Sequence, residues 1–137
     1  MITVFDVNPN KLIHAVAQEL EKEEKVSPPG FIRFVKTGSH VELAPVQKNF
    51  WYIRCASILR QAYVRNKVSL GGLKVHYGGA QKNVVHTAHH RDAGGAIIRN
   101  AFQQLEKAGL LVKEKDGRVL SSQGRKFLDK VSAKLKE

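Results

Sequence analysis

Apolar positions along the chain fall into stretches of helical period separated by short polar or glycine-rich breaks. Leu12, Ile13, Val16, Ala17 and Leu20 form one stripe, so Lys11 to Lys25 is predicted to be helical, opened by the capping group Asn8-Pro9-Asn10. Its Glu-rich end, Glu19 to Glu24, reads as a solvated face, and Ser27-Pro28-Pro29-Gly30 stops it because prolines lack the backbone donor. A loop is expected from there through Pro45. From Phe50 to Arg65, Trp51, Tyr52, Cys55, Ile58, Leu59, Ala62 and Tyr63 cover a broad arc, with Arg54, Ser57, Gln61 and Arg65 along the opposite edge. That pattern predicts a central, mostly buried amphipathic helix whose aromatic residues belong to the core. Ser69 to Tyr77 fits a shorter helix or a turn, and Gly78 to His90 is expected to be a polar loop.

The last third carries the clearest periodicity. A helix from about Asp92 to Ala108 would put Ile97, Ala101, Leu105 and Ala108 inward and Arg99, Asn100, Gln103, Gln104 and Lys107 outward, with Gly109 ending it. Leu110 to Lys115 and Arg118 to Ser121 then flank Asp116-Gly117, a dipeptide suited to a two-residue hairpin turn at positive φ. Ser121 or Ser122 can cap a final helix running to about Leu135. Helix, glycine, strand, turn, strand, helix is the order of a winged-helix domain. The expected fold is therefore mainly α: a winged-helix-like helical domain with a central amphipathic helix and a short β-hairpin wing. Residues 1–137 are expected to form one domain, an N-terminal helix and loop over 1–49 and the winged-helix-like core over 50–137.

Composition narrows the function. The 137 residues include one cysteine, Cys55, so no intramolecular disulfide is expected and a reducing compartment suits the chain. Met1 to Pro9 has neither the charged nor the apolar region of a secretory signal, and no stretch approaches a membrane span; neither secretion nor a membrane partner is expected. The net charge is +11 and unevenly placed. Residues 1–50 hold 6 basic and 6 acidic side chains, whereas residues 51–137 hold 17 and 6. Between Arg54 and Arg99 there are eight basic residues and a single acidic one, Asp92. A polyanion is the partner this implies, with solubility as the plainer use of such a surface.

Phosphates carry most of the affinity in nucleic-acid binding, and guanidinium forks grip them or stack on unpaired bases. Arg99 lies on the outward face of the helix before the wing. Arg54, Arg60 and Arg65 recur along the central helix, where RNA contact and internal hydrogen bonding are both open for Arg54 and Arg60. Lys36-Thr37-Gly38 and Tyr77-Gly78-Gly79 are compact loops whose amides could approach a phosphate, or turns that need glycine for backbone reasons. His86, His89 and His90 lack the partner ligands of a structural zinc site and fit hydrogen bonding or stacking on RNA, so no metal is expected. There is no P-loop, no G-x-S-x-G and no H-E-x-x-H, so neither an enzyme nor a cofactor is expected, nor a small-molecule substrate.

Several motifs go beyond architecture. Val35-Lys36-Thr37-Gly38 with His40, Glu42 and Pro45 is followed by Trp51-Tyr52-x-Arg54-x-Ala56-Ser57-Ile58-Leu59-Arg60-x-x-Tyr63. Then come Tyr77-Gly78-Gly79, Ala93-Gly94-Gly95-x-Ile97-x-Arg99-x-Ala101-x-Gln103-Gln104-Leu105-Glu106, Gly117-Arg118-x-Leu120-Ser121 and Gly124-Arg125-x-x-Leu128-Asp129. In order and spacing, over nearly the whole chain, this resembles the small-subunit ribosomal protein nineteen-e family of eukaryotes and archaea. The resemblance implies a helical winged-helix-type fold, a place in the head of the small subunit bound to its rRNA, and a role in late pre-rRNA processing and small-subunit maturation. Other small-subunit proteins and assembly factors would be partners. The location would be the cytoplasmic ribosome, with the nucleolus during assembly in a eukaryote.

The chain departs from the family after Gly79, where Ala80 to Thr87 replaces a basic run followed by glycine and proline. It departs again at His90, where a phenylalanine is common, and at Asn100, where another basic residue is common. The expected RNA-binding set is Lys36, Arg54, Arg60, Arg65, Tyr77, Gly78, Gly79, Lys82, His86, His89, Arg91, Arg99, Gln103, Arg118 and Arg125. A winged-helix DNA-binding regulator and a module docking an acidic protein are the alternative readings of the same charge pattern.

Overall fold

The computed structural model describes residues 2–33, 35–41, 43, 45, 48–81 and 89–136, with the side chains of residues 33 and 81 left aside. Helix α1 (Pro9–Glu21) begins where Asn8 Oδ1 accepts from the backbone N–H of Asn10 and Lys11 at 3.0 and 3.3 Å. Leu12, Val16, Ala17 and Leu20 are buried along it. It stops at Glu21, four residues short of the expected end. A continued helix would carry Val26 away from the buried stripe, and Val26 is in fact 2% exposed in the core.

Helix α2 (Phe50–Arg65) is the centre of the molecule. Trp51, Cys55, Ala56, Ile58, Leu59, Ala62 and Tyr63 are buried, and α1, α4, α5 and the wing all pack against it. Gln61, expected on the polar edge, is buried too. Burial pushes the Cys55 thiol up to about 12, with Arg54 opposing. Asn66 ends α2 in the left-handed region at φ 68°. Helix α3 (Leu70–His76) resolves the helix-or-turn choice for this segment, with Ser69 Oγ accepting from Gly72 N at 3.0 Å.

The segment expected as a loop from Gly78 to His90 contains paired strands. Strand β1 (Gly79–Gln81) runs antiparallel to β2 (His89–Arg91), in the register Gly79 to Arg91. Helix α4 (Gly95–Lys107) starts three residues later than expected, and Ile98 and Phe102 join Ile97, Ala101 and Leu105 in the core, while Ala108 is only partly buried. Gly109, at φ 83°, ends it as expected.

The wing pairs β3 (Leu111–Glu114) with β4 (Gly117–Leu120). Its turn is Lys115-Asp116 rather than Asp116-Gly117, and Gly117 does not have positive φ. The glycine answers to crowding: a Cβ there would collide with the Val68 carbonyl, because Val68 and Arg118 exchange backbone hydrogen bonds of 2.9 and 2.7 Å. Helix α5 (Ser122–Lys136) is capped by Ser121, whose Oγ accepts from Gly124 N and donates to Gly109 O.

One hydrophobic cluster joins Leu12, Val16 and Leu20 of α1 to Trp51, Phe102 and Leu128. Gln104, expected to face solvent, locks that cluster from its edge. Its Oε1 accepts from Trp51 Nε1 at 2.9 Å and Ser27 N at 3.0 Å, and its Nε2 donates to Ser27 O at 2.8 Å. Gln104→Leu leaves the buried Trp51 indole N–H without a partner and hands the exposed Ser27 backbone to water, so urea unfolding is expected to register a loss of about 1–3 kcal/mol. Cys55 in the native protein should resist aromatic disulfide reagents, with labelling no faster than unfolding; a rapid native-state reaction would contradict the packing of α2.

Candidate nucleic-acid interface

Arg54 rises from the first turns of α2 between two rings. Its guanidinium carbon lies 3.9 Å from the Tyr77 ring centroid and 5.2 Å from that of Phe50. Burial lowers its pKa, with Tyr77 and Cys55 opposing, yet an arginine stays charged throughout the useful pH range. Tyr77, at the end of α3, shares a 2.7 Å hydrogen bond between its hydroxyl and Ser57 Oγ. The open question for Arg54 thus resolves toward a stacked, half-buried cation. It forms one wall of a cleft of about 430 Å3, with Ile13, His14, Thr37, Phe50 and Tyr77 among the others.

Further along α2, Arg60 Nε is buried with no hydrogen-bond partner among the described residues. Arg65 is exposed, and its Nη2 lies 3.2 Å from His76 Nδ1 on the last turn of α3. A guanidinium can only donate, so Nδ1 is the acceptor and the imidazole is neutral with its proton on Nε2. Burial lowers the pKa of His76 first, and Arg65, Arg54 and Arg60 lower it further by like-charge repulsion.

A third strip meets these helices at the start of α4. Gly38 bridges Ala93, Gly94 N donates to Thr37 O at 2.7 Å, and Ala93 N donates to Lys74 O at 2.9 Å. The glycines here serve close packing. A Cβ on Gly38 or Gly79 would press on the His40 ring, and one on Gly78 would collide with the Arg91 carbonyl. Lys36 is exposed beside this junction, as are His89 and Arg91 on β2; His90 Nε2 contacts Asp92 Oδ1 at 3.2 Å. Lys74 and Arg99 converge over Gly95, where a Cβ would lie 3.7 Å from each. Gln103 is exposed one turn after Arg99, on the same side of α4.

The structure therefore gathers Lys36, Arg54, Arg60, Arg65, Tyr77, Gly78, Gly79, His89, Arg91, Arg99 and Gln103 around α2, α3 and the start of α4. Arg118 and Arg125 lie elsewhere. The Arg118 side chain is hydrogen-bonded to Glu106 and lies over the Phe102 ring at 5.1 Å. Arg125 stacks on Tyr63 at 4.6 Å, and the Tyr63 hydroxyl donates to Asp129 at 2.8 Å. Lys82 and His86 lie outside the described residues. Sequence reasoning passed over Lys74 and His76, which sit in the segment that periodicity left between helix and turn. Among the described residues no group of three or more His, Cys, Asp or Glu side chains could hold a metal ion, and no helix is long and apolar enough to cross a membrane.

A family model described as ribosomal protein S19e matches residues 3–137. The chain is 40% identical over 137 residues to the small ribosomal subunit protein eS19A of Schizosaccharomyces pombe, covering 99% of this chain and 95% of that one. It is 40% identical over 134 residues to the small ribosomal subunit protein eS19 of Oryza sativa subsp. japonica, covering 97% and 92%. To the small ribosomal subunit protein eS19 of Aeropyrum pernix it is 39% identical over 140 residues, covering 100% and 92%.

The position of His76 makes a pH prediction. With its folded-state pKa below the ordinary 6.5, the unfolded chain binds this proton more readily. The contribution of His76 to stability is therefore whole above that value, and declines as pH falls through it toward the folded pKa. Nuclear magnetic resonance of the ring protons should place the His76 midpoint below 6.5, and Arg65→Gln should move it upward. A midpoint at or above the ordinary value would contradict the arginine cluster.

Proposed function

The chain belongs to the ribosomal protein S19e family, and on that premise we propose that it is a structural constituent of the small ribosomal subunit that binds rRNA. It is a ribosomal protein and not an enzyme. The observation that carries the RNA-binding reading is the convergence of Arg54, Arg60, Arg65, Lys74 and Arg99 on neighbouring surfaces of α2, α3 and α4. Phosphates are the complement of such a surface.

The site residues divide by chemistry. Arg65, Lys74, Arg91, Arg99 and Lys36 are the phosphate contacts in this proposal, and Arg54, held by Phe50 and Tyr77, adds a fixed positive charge at the cleft. Gln103 and His89 extend the surface, and Lys82 and His86 belong to the proposal from the sequence alone. Gly78 and Gly79 act by letting the chain pass close to Arg91 and His40. Arg118 and Arg125 are at most peripheral to it, since their side chains are engaged by Glu106, Phe102 and Tyr63. The resemblance to the family extends the proposal to a place in the subunit head, to pre-rRNA processing and small-subunit maturation alongside assembly factors and other small-subunit proteins, and to a nucleolar stage in a eukaryotic source.

Co-sedimentation with small subunits in a sucrose gradient tests the proposal, because a chain that stays at the top at low salt is not a subunit constituent. Arg99→Glu is expected to reduce incorporation with helical circular dichroism unchanged, as the side chain faces outward. If about six phosphates are engaged, affinity for rRNA should fall on the order of a thousandfold between about 50 and about 200 mM salt. Equal or better binding to duplex DNA at matched salt would favour a DNA-binding role instead.

A further inference from the structure

We propose that His76, with Arg65, forms a site for an RNA phosphate in which the imidazole takes up a proton as the phosphate docks. The proposal rests on the RNA-binding reading above and assigns one part of that surface a defined chemistry. Its geometric basis is local. His76 is exposed on the last turn of α3, with Arg65 Nη2 3.2 Å from its Nδ1 and the Tyr77 ring edge-on at 4.8 Å between centroids.

The groups acting on this imidazole are all cations of one helix, Arg65, Arg54 and Arg60 of α2. On α3 its neighbours are Tyr77 and, one step further, Lys74, which leans with Arg99 over the start of α4. Asp92 is the single acidic residue between Arg54 and Arg99 in the sequence, and its carboxylate is in contact with His90. No carboxylate contributes to the titration of His76. Among the described residues, the site therefore pairs a guanidinium with a neutral imidazole and no carboxylate.

A phosphodiester placed here reverses the local field. Its charge offsets the arginine repulsion that keeps the ring neutral, so the protonated form becomes favoured. One proton from bulk water adds to the Nδ1 lone pair, the hydrogen bond from Arg65 to Nδ1 is lost, and Arg65 redirects that donor to a phosphate oxygen. No covalent bond to phosphorus forms or breaks. By reciprocity, binding that raises the pKa of His76 must tighten as pH falls between the free and bound values.

The test uses the full chain. The His76 ring is followed by nuclear magnetic resonance through a pH titration alone, with an RNA stem-loop, and with polyglutamate at matched charge. In parallel, anisotropy of the labelled stem-loop is measured at constant ionic strength from about pH 8 to about pH 6. RNA is expected to raise the His76 midpoint. Wild-type affinity should climb by up to about tenfold per pH unit across the window between the free and bound midpoints. His76→Gln, checked for fold by circular dichroism, should bind comparably near pH 8 and lose that part of the slope. RNA binding that leaves the His76 midpoint unmoved overturns this proposal and leaves the RNA-binding reading standing. No binding of RNA at any pH overturns both. An equal response to polyglutamate would assign the site to an acidic protein segment and overturn the RNA phosphate.

Discussion

Helix α2 buries Trp51, Cys55, Ile58, Leu59 and Ala62 against nearly every other element while carrying three arginines on what remains of its surface. Each large apolar side chain withdrawn from water contributes about 1.5–3 kcal/mol, so the helix cannot rotate or slide to suit a ligand. The points on the backbone from which its cations extend are consequently fixed by the core. Arg54 is held between Phe50 and Tyr77, and Tyr77 is held in turn by Ser57 of the same helix. A surface that must match a folded RNA benefits from this arrangement, because little ordering of side chains is left to be done on binding.

The same core dictates where the remaining basic residues go. The hydrogen bonds of Val68 with Arg118 anchor the wing to the chain leaving α2, and the Glu106 carboxylate and Phe102 ring engage the Arg118 side chain. Lys74 and Arg99 meet over Gly95 because α3 packs on α4 through the Ala93 to Lys74 hydrogen bond. The net charge of +11 is thus divided by packing into cations available to a polyanion and cations used to stitch helices together. A count of basic residues treats the two alike.

How much could be read beforehand varied with the kind of signal. Helices α1, α2, α4 and α5 follow from apolar period, and Asn8, Gly109 and Ser121 act as the caps their chemistry suggests. The β1 and β2 pair leaves no mark in the pattern because three-residue strands of Gly, Ala, Gln, His and Arg show no alternation of apolar and polar positions. The polarity of Gln104 points it to solvent, whereas its amide satisfies the Trp51 indole and the Ser27 backbone, groups 53 and 77 residues distant in sequence. Gly117 reads locally as a positive-φ turn residue, while its real constraint is the Val68 carbonyl on another segment.

Local order along the chain, then, was enough for element types, caps, the basic polarity of the later two thirds and the motifs of a ribosomal protein family. Those features depend on neighbours within a few turns, or on strings of residues that survive without reference to shape. Contacts between distant segments had to be formed before the candidate site existed: Arg65 against His76, Lys74 beside Arg99, Arg54 over Tyr77. Electrostatics acts through space and not along the chain, so the arginines that surround His76 become its neighbours only once α3 has folded back on α2.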